Sequence, residues 1–238
     1  MFFTNVCYNG YGSENMDLRI VLLMLILPAM AQFFVSSSYG KYKSIENENK
    51  LTGFEVARKI LDRNGLKDVY VVETKGNLTD HYDPKRKVVR LSTDIYKGTS
   101  VASLAVASHE CGHVLQDKDG YLYMRLRSFI FPVVHFATSI SYFIIFLGIL
   151  FESLDLVWVG ILCVGMGLVF QLVTLPVEIN ASKRAKEMVQ KLELATKSEQ
   201  EGVSTMLMAA ASTYLAGVLS SALELLRLIL VFGGSKEE

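Results

Sequence analysis

The fold is decided by residues 128–175, whose sequence is SFIFPVVHFATSISYFIIFLGIL (128–150), FESLD (151–155) and LVWVGILCVGMGLVFQLVTL (156–175). The two long segments contain no Asp, Glu, Lys or Arg. A helix of about 20 residues, rising about 1.5 Å per residue, spans a hydrocarbon core about 30 Å thick. Because only one short acidic segment separates them, the two long segments predict a transmembrane helical hairpin.

Two further segments are apolar enough to be considered as membrane helices. Residues 18–38 carry a single charge, at Arg19, and predict a first transmembrane helix. A cleaved signal peptide is the alternative, but Glu14 and Asp17 precede the segment and no small-residue cleavage site ends it. The C-terminal segment 205–232 begins with an uncharged, small-residue stretch, which fits either a fourth span or a buried helix of the catalytic part.

The composition agrees with a membrane protein. Hydrophobic residues make up 51% of the chain and charged residues 20%, whereas soluble domains have about 25% charged residues. Disorder is excluded by this hydrophobicity. The 24 basic and 24 acidic residues balance, so the sequence predicts no nucleic-acid binding. Three scattered cysteines with no CxxC pair predict neither a disulfide framework nor a cysteine zinc site.

The predicted organisation has six segments. They are a leader at 1–17, a transmembrane helix at 18–38, a polar part at 39–127, the hairpin at 128–175, a polar helix at 176–204 and the apolar helix at 205–232. Pro176 is expected at the membrane exit, in the first turn of a new helix. Basic residues flank the polar segments and the hairpin turn is acidic, so the positive-inside rule places both polar segments in the cytoplasm.

The polar part at 39–127 predicts a mixture of helices and short strands. Residues 51–61 have helical spacing, with Thr52 as a possible cap and Gly65 as a stop. Segments 69–72 and 87–91 predict two strands of a small β-hairpin, and the second strand could hold an extended peptide if it lies at a sheet edge. A further helix is expected to follow Thr99 or Ser100 and run to about residue 117.

The segment from Ser108 to His113, SHECGH, contains the pattern H-E-x-x-H. Histidines four residues apart lie on one helix face, so His109 and His113 can bind the same Zn²⁺. Glu110 then lies beside the metal, where it can hold the activated water and accept its proton. We predict one Zn²⁺ per chain. The alternative is a structural helix in which the two histidines are merely packed.

A catalytic zinc site needs a third protein ligand. Glu178, in the segment LPVEINAS (175–182), is the best candidate because two membrane crossings return the chain to the side of His109. Alternatively, Glu178 is an N-terminal helix carboxylate that interacts with the macrodipole. The residues alone leave five more candidate ligands open, which are Asp80, His81, Asp83, Glu187 and Glu193.

The sequence resembles the YugP-like family of neutral zinc metallopeptidases of membranes, a gluzincin-like group distantly similar to the HtpX proteases. The resembling segments are LTDHYDP (78–84), KVVRLS (87–92), ASHECGHVLQ (107–116), LPVEINASKRA (175–185) and AAASTYLAG (209–217). The resemblance implies that His109, His113 and Glu178 bind zinc and that Glu110 is the catalytic acid and base. Many gluzincins carry an acidic residue four positions after the glutamate ligand, where this chain has Ser182.

Four residues are weaker candidates for a role in function. His81 and Tyr214 could stabilise an oxyanion, although a loop histidine and a helical aromatic are more often structural. Ser182 could hold a metal-ligating histidine through a hydrogen bond. His135 lies within a predicted span, where an ionisable side chain suggests function but a packed neutral histidine is the commoner case.

The sequence therefore predicts a multi-pass integral membrane zinc metallopeptidase of the cell membrane, with its active site facing the cytoplasm. Its fold is expected to be mainly α, with a zincin-like α+β catalytic part and three to four transmembrane helices. It would hydrolyse a polypeptide substrate with zinc-activated water and Glu110 as general base and acid. The lipid bilayer is the other expected partner, and the oligomeric state is not predicted.

Two different functions stay open at this point. One is a non-catalytic membrane scaffold whose zinc site is structural or vestigial. The other is an intramembrane protease with H-E-x-x-H inside a span, which the flanking charges of Lys97 and Asp117 disfavour.

Overall fold

A computed structural model describes residues 12–76 and 79–233, and this part of the chain is mainly helical. Its elements, in chain order, are α1 (Gly12–Lys43), α2 (Gly53–Arg63), β1 (Tyr70–Thr74), β2 (His81–Asp83), β3 (Val88–Ser92), α3 (Thr93–Lys97), α4 (Val101–Lys118), α5 (Leu122–Leu150), α6 (Leu154–Lys191) and α7 (Lys197–Gly233). These elements form two compact units. The helical unit contains the described residues up to 30, 126–175 and those from 214 onward, and the mixed unit contains 31–125 and 176–213.

In the described part of the chain, four helices are long and apolar enough to cross a membrane, judged by length and composition. They are Asp17–Lys43 of α1, Leu122–Leu150, Leu154–Lys191 and Lys197–Gly233. Large apolar side chains are exposed on them, such as Phe129 at 80% and Leu162 at 72%. A soluble protein rarely exposes so much contiguous apolar surface, so these faces suit contact with lipid.

Close backbone packing holds α5 and α6 together in the helical unit. A Cβ added at Gly160 would lie 2.9 Å from the Ser141 carbonyl oxygen, and one at Gly148 would lie 2.7 Å from the Val157 nitrogen. Glycine is needed at both positions because any side chain would push the helices apart. A buried cluster beside this contact also includes residues of α7, and its members are Ile145, Val157, Ile161, Val164, Leu228 and Phe232.

The first and last helices meet at the same end of the helical unit. The Arg227 Nε of α7 lies 2.5 Å from the Asp17 Oδ1 of α1. Leu228 and Phe232 pack with Val157, close to the turn between α5 and α6. The start of α1 therefore lies at the same end of the helical unit as the turn of the hairpin and the end of α7.

The mixed unit has its own core, built around α2, α4 and the sheet. Ile60, Leu91 and Leu104 are completely buried in it, and side chains of α6 and α7 such as Val189 and Leu207 complete it. The Thr52 hydroxyl accepts a hydrogen bond from the Glu55 nitrogen at 3.2 Å, and the Glu55 carboxylate accepts one from the Thr52 nitrogen at 2.8 Å. The predicted cap of α2 is therefore confirmed, as half of a capping box.

The sheet differs from the predicted hairpin. Its strand order is β1-β3-β2, in which β1 and β3 are parallel and β2 and β3 are antiparallel. Asp83 explains the difference, because its carboxylate accepts hydrogen bonds from the Lys85 and Arg86 nitrogens and reverses the chain directly before β3. Segment 75–87 is then long enough to act as the crossover that a parallel pair requires.

Two expectations about this sheet were therefore wrong. The hairpin is formed by β2 and β3, not by the strands at 69–72 and 87–91. Strand β3 is central, so it has no edge at which a peptide could pair. Residues 84–87 form the turn that links β2 to β3.

Several helix boundaries also differ from the expected segments. Of the predicted leader, residues 12–17 begin α1, and residues 1–11 lie outside the described residues. Helix α6 continues through Pro176, where a new helix was expected, because a long helix packed against its neighbours tolerates the loss of one backbone hydrogen bond. The expected helix at 176–204 is interrupted near Glu193, which has a φ of +51°. The final apolar segment is part of the single helix α7.

Candidate metal centre

Helix α4 carries the H-E-x-x-H motif and is fixed by its cap and its core face. The Ser100 hydroxyl accepts a hydrogen bond from the Ser103 nitrogen at 3.1 Å, which confirms Ser100 as the cap. Cys111 is completely buried and its thiol lies 3.7 Å from the Ala57 carbonyl oxygen, as expected for a small core residue. With this face held in the core, the His109 and His113 rings lie together, 4.9 Å apart between centroids.

Glu178 of α6 joins the two histidines. Its Oε2 atom lies 3.3 Å from His109 Nε2 and 3.4 Å from His113 Nε2. Glu178 is only 2% exposed, and both histidines are partly buried. Within residues 17–76 and 79–233, no other set of three His, Cys, Asp or Glu side chains brings its ligand atoms this close together.

The spacing of these three side chains fits a zinc ion. In a tetrahedral site with metal–ligand bonds of about 2.0–2.1 Å, neighbouring ligand atoms are about 3.3 Å apart. The two measured distances equal this edge length to within 0.1 Å. Two imidazoles and one carboxylate are also a ligand set typical of catalytic zinc, in which the fourth position is left to water or substrate.

The outer nitrogen of each histidine has a hydrogen-bond partner. His109 Nδ1 lies 3.3 Å from the Ser182 hydroxyl, and His113 Nδ1 lies 3.0 Å from Gln116 Oε1. With Nδ1 donating to these oxygens, loss of the Nε2 proton would leave a lone pair facing Glu178, which is the form that a metal ligand needs. Ser182 is therefore within hydrogen-bond reach of the outer nitrogen of His109.

Gln116 was not singled out from the sequence. It is completely buried, and its Nε2 donates to the Val177 carbonyl oxygen at 2.7 Å and to Asn180 Oδ1 at 3.1 Å. Gln116 therefore links His113 to the turn of α6 that carries Glu178. Its position three residues after His113, on the same helix face, was the available signal.

Gly112 and Arg184 also bring α4 and α6 together and were not singled out. A Cβ at Gly112 would lie 2.3 Å from the Ala181 carbonyl oxygen, so glycine alone permits this approach. Arg184 donates to Asn180 Oδ1 at 2.8 Å and to the Leu115 carbonyl oxygen at 3.3 Å. The small residues in HECGH and INAS are a signal for such packing, but only once the two segments are known to meet.

Glu110 lies next to this three-residue group, in a different electrostatic setting. It is 7% exposed, and no described group donates a hydrogen bond to its carboxylate. Burial raises the pKa of Glu110, although the two neighbouring histidines act in the opposite direction. A carboxylate in this setting can accept a proton from water and can also hold it.

The pKa values of Glu178 and His113 shift in ways that favour ion pairing. Burial acts to raise the pKa of Glu178, but hydrogen bonds from His109 and His113 hold it well below its usual range. Burial acts to lower the pKa of His113, but the hydrogen bond to Glu178 and the charges of Glu110 and Glu178 raise it overall. Glu178 is therefore a carboxylate at neutral pH, as a metal ligand must be.

The other candidate residues lie outside this three-residue group. His81 is exposed on β2, with Nδ1 2.8 Å from the Thr79 carbonyl oxygen. Asp80 accepts hydrogen bonds from the Ser92 nitrogen and hydroxyl, and Glu187 lies 3.9 Å from Lys183. The last two candidate ligands, Asp83 and Glu193, are also not in the group. Tyr214 belongs to the helical unit, and its oxyanion role stays a prediction.

Comparison with known proteins identifies the class. Residues 18–233 match a family model described as "Putative neutral zinc metallopeptidase", so the chain belongs to this family of zinc metallopeptidases. The predicted family resemblance is thereby confirmed. The chain is similar to the "Putative membrane protease YugP" of Bacillus subtilis (strain 168), with 45% identity over 219 residues that cover 92% of this chain and 97% of that protein. No solved structure matches the chain.

Proposed function

We propose that this protein is a membrane-bound, zinc-dependent endopeptidase. The observation that carries the proposal is the arrangement around Glu110, a buried carboxylate next to His109, where the Nε2 atoms of His109 and His113 lie 3.3 and 3.4 Å from one oxygen of Glu178. A purely structural site needs no such carboxylate. The grouping of three candidate ligands, and not four, among the described residues also argues against a non-catalytic scaffold, because structural zinc sites are closed by four protein ligands.

In the proposed mechanism, His109, His113 and Glu178 hold one Zn²⁺. Zinc in such a site polarises the substrate carbonyl and lowers the pKa of water. The Glu110 carboxylate accepts a proton from the attacking water and passes it to the leaving amine. Its raised pKa suits this sequence, because a group that accepts a proton near neutral pH must also hold it until the amine departs.

We further propose that the mixed unit is a zincin-like catalytic part. The mixed unit combines the motif helix α4, the part of α6 that carries the proposed ligand Glu178, and a small sheet with a short antiparallel edge strand. Helix α4 is not among the four apolar helices. An intramembrane protease would need the motif within a span, so that function loses support.

We also propose that all four apolar helices cross the membrane. The ion pair of Asp17 with Arg227 supports a crossing by α7, because it brings the start of α1 and the end of α7 to one level. For both helix ends to lie on the same side, the chain must cross the membrane an even number of times between them. The positive-inside rule then orients the mixed unit, with His109, towards the cytoplasm and the end of α7 towards the outside.

The experiment measures zinc content and casein cleavage for protein purified in mild detergent. We expect about one zinc per wild-type chain together with cleavage of casein. Glu110→Gln should keep its zinc and lose cleavage, whereas His113→Ala and Glu178→Ala should lose zinc. Glu187→Ala serves as the matched control for a carboxylate of the same helix, because Glu187 is exposed and pairs with Lys183.

Two results would reject parts of this proposal. Full zinc content in Glu178→Ala would remove Glu178 from the ligand set. Folded wild-type protein without zinc, even after reconstitution, would reject the metallopeptidase and favour a scaffold.

A further inference from the structure

The helical unit contains a cavity of about 320 Å³ between α5, α6 and α7. We call this cavity the membrane pocket. Its polar lining residues are His135, Thr138, Ser141, Tyr142, Gln171, Ser221 and Glu224. The function proposed above uses none of them.

The polar lining residues lie within the hydrocarbon core of the membrane and not at the membrane surface. Tyr142 precedes the end of α5 by eight residues, or about 12 Å along the helix. Glu224 precedes the end of α7 by nine residues, or about 14 Å, in a hydrocarbon core of about 30 Å. Polar and ionisable groups at this depth are costly unless they meet a partner.

Three hydroxyl groups of the lining already use their protons, so their oxygens are available only as acceptors. The Thr138 and Ser141 hydroxyls donate to the Val134 and Thr138 carbonyl oxygens, each at 2.8 Å, so their protons are already used. The Tyr142 hydroxyl donates to Glu224 Oε1. A carboxylate has about four acceptor positions, so Glu224 can accept further hydrogen bonds.

Glu224 is also the only carboxylate in the lining of the pocket. Arg227 lies one turn away, but its guanidinium is paired with Asp17 at 2.5 Å. In the described part of the chain, no Lys, Arg or His nitrogen lies within 4.0 Å of the Glu224 carboxylate. The pocket therefore offers one carboxylate that has no ion-pair partner within 4.0 Å among the described residues, together with hydroxyl oxygens that can accept, and this combination suits a cationic donor.

The rim of the pocket is accessible from the side. Tyr142 is 53% exposed, and His135 is exposed and stacks on Phe131 with 5.6 Å between ring centroids. The volume is at the low end of the range of about 300–1,000 Å³ for ligand sites, which suits one side chain. Lipid ammonium groups lie at the membrane surface, about 12 Å or more from Glu224, so a membrane-embedded polypeptide is the better match.

We propose that the membrane pocket binds a lysine or arginine side chain from a transmembrane segment of another polypeptide, through Glu224. This inference rests on the membrane insertion proposed above and is independent of peptidase activity. If the peptidase proposal also holds, such a polypeptide is a candidate substrate.

The test measures binding of leucine-rich transmembrane peptides to Glu110→Gln protein in phosphatidylcholine vesicles, by fluorescence energy transfer. One peptide carries a single central lysine and its control carries leucine there. We expect the lysine peptide to bind about ten-fold more tightly than the leucine peptide. Replacing Glu224 by Gln should reduce this preference to less than about two-fold, because the carboxylate is lost while the size is kept.

Three variants serve as controls. Glu152→Gln removes an acidic residue of the hairpin turn and should leave the preference intact. Glu224→Asp keeps a carboxylate and should retain most of the preference, so a loss in Glu224→Gln alone is not a folding defect. Tyr142→Phe removes only the hydroxyl donor and should also retain it. Vesicle retention after alkaline washing verifies insertion separately.

Three outcomes would overturn the proposal. Equal binding of the two peptides would show that the pocket does not select a basic side chain. A preference that survives in Glu224→Gln would exclude Glu224 as the partner. Displacement of the lysine peptide by phosphatidylethanolamine at ordinary membrane content would assign the pocket to a lipid.

Discussion

Glu110 and Glu178 are both buried carboxylates, but their surroundings give them different roles. The two histidines donate to Glu178 and lower its pKa, whereas Glu110 has no hydrogen-bond donor in the described structure and burial raises its pKa. Their different surroundings therefore distinguish the proposed base, Glu110, from the proposed ligand, Glu178.

The first prediction concerns Glu110. Glu110→Gln keeps the shape of the side chain but cannot accept a proton, so kcat for casein should fall by about 10²–10⁴-fold. Zinc content should remain that of the wild type, because Glu110 is not in the ligand group. Cleavage at the wild-type rate by zinc-loaded Glu110→Gln would exclude Glu110 as the base.

The second prediction concerns Gly112. Gly112→Ala would introduce a Cβ 2.3 Å from the Ala181 carbonyl oxygen, which should separate α4 from α6, weaken zinc binding and destabilise the protein by about 1–3 kcal/mol. Thermal unfolding and zinc titration measure both effects. Gly40→Ala is the control, because a Cβ there meets nothing within 4 Å. Equal behaviour of the two variants would contradict the proposed contact.

The third prediction concerns Gln116. Gln116→Leu removes the acceptor of His113 Nδ1 and should weaken zinc binding by about 10–100-fold, measured by competition with a chelator. Gln116→Glu restores an acceptor and should recover part of the affinity. If Gln116→Leu binds zinc like the wild type, the hydrogen bond to His113 is not needed for the ligand geometry.

At the scale of elements, the hairpin of α5 and α6 depends on glycine positions and not only on hydrophobicity. The fourth prediction is that Gly160→Ala lowers the thermal stability of the protein in detergent, since its Cβ would meet Ile145 and the Ser141 carbonyl oxygen. Gly165→Ala is the control, because its nearest neighbours are Leu225 side-chain carbons at 3.7 and 3.8 Å. Similar unfolding temperatures for both variants would contradict close packing at Gly160.

Features that depend on residues close together in the sequence were predicted correctly, whereas features that depend on distant segments were not. The caps of α2 and α4 were identified from Thr52 and Ser100, because capping involves residues only three positions apart. Strand pairing was wrong, because the neighbour of β3 depends on how segment 75–87 folds. The break near Glu193 was also missed, since no glycine or proline marks it.

At the scale of the whole molecule, the fifth prediction tests the proposed topology. Glu152→Cys, in the hairpin turn, should react with a membrane-impermeant thiol reagent added to intact cells. Lys186→Cys, in the polar part of α6, should react only after permeabilisation, because the positive-inside rule places it in the cytoplasm. Wild-type protein measures the background from its native cysteines. Labelling of both positions in intact cells would reject the proposed orientation.

The sequence by itself determined the features that follow from local patterns. The apolar segments, the H-E-x-x-H motif and the helix caps each depend on residues within one helix or one turn, so composition and spacing suffice to identify them. The family could also be recognised from such segments, and the match over residues 18–233 confirmed it.

The tertiary structure alone decided which distant residues meet. Glu178 is 69 positions from His109, and only the packing of α6 against α4 selects it over candidate ligands such as Asp80 and His81. The contact at Gly112, the link through Gln116 and the strand order are likewise properties of pairs of elements. Local sequence does not encode them, because they arise from the way separate segments share one core.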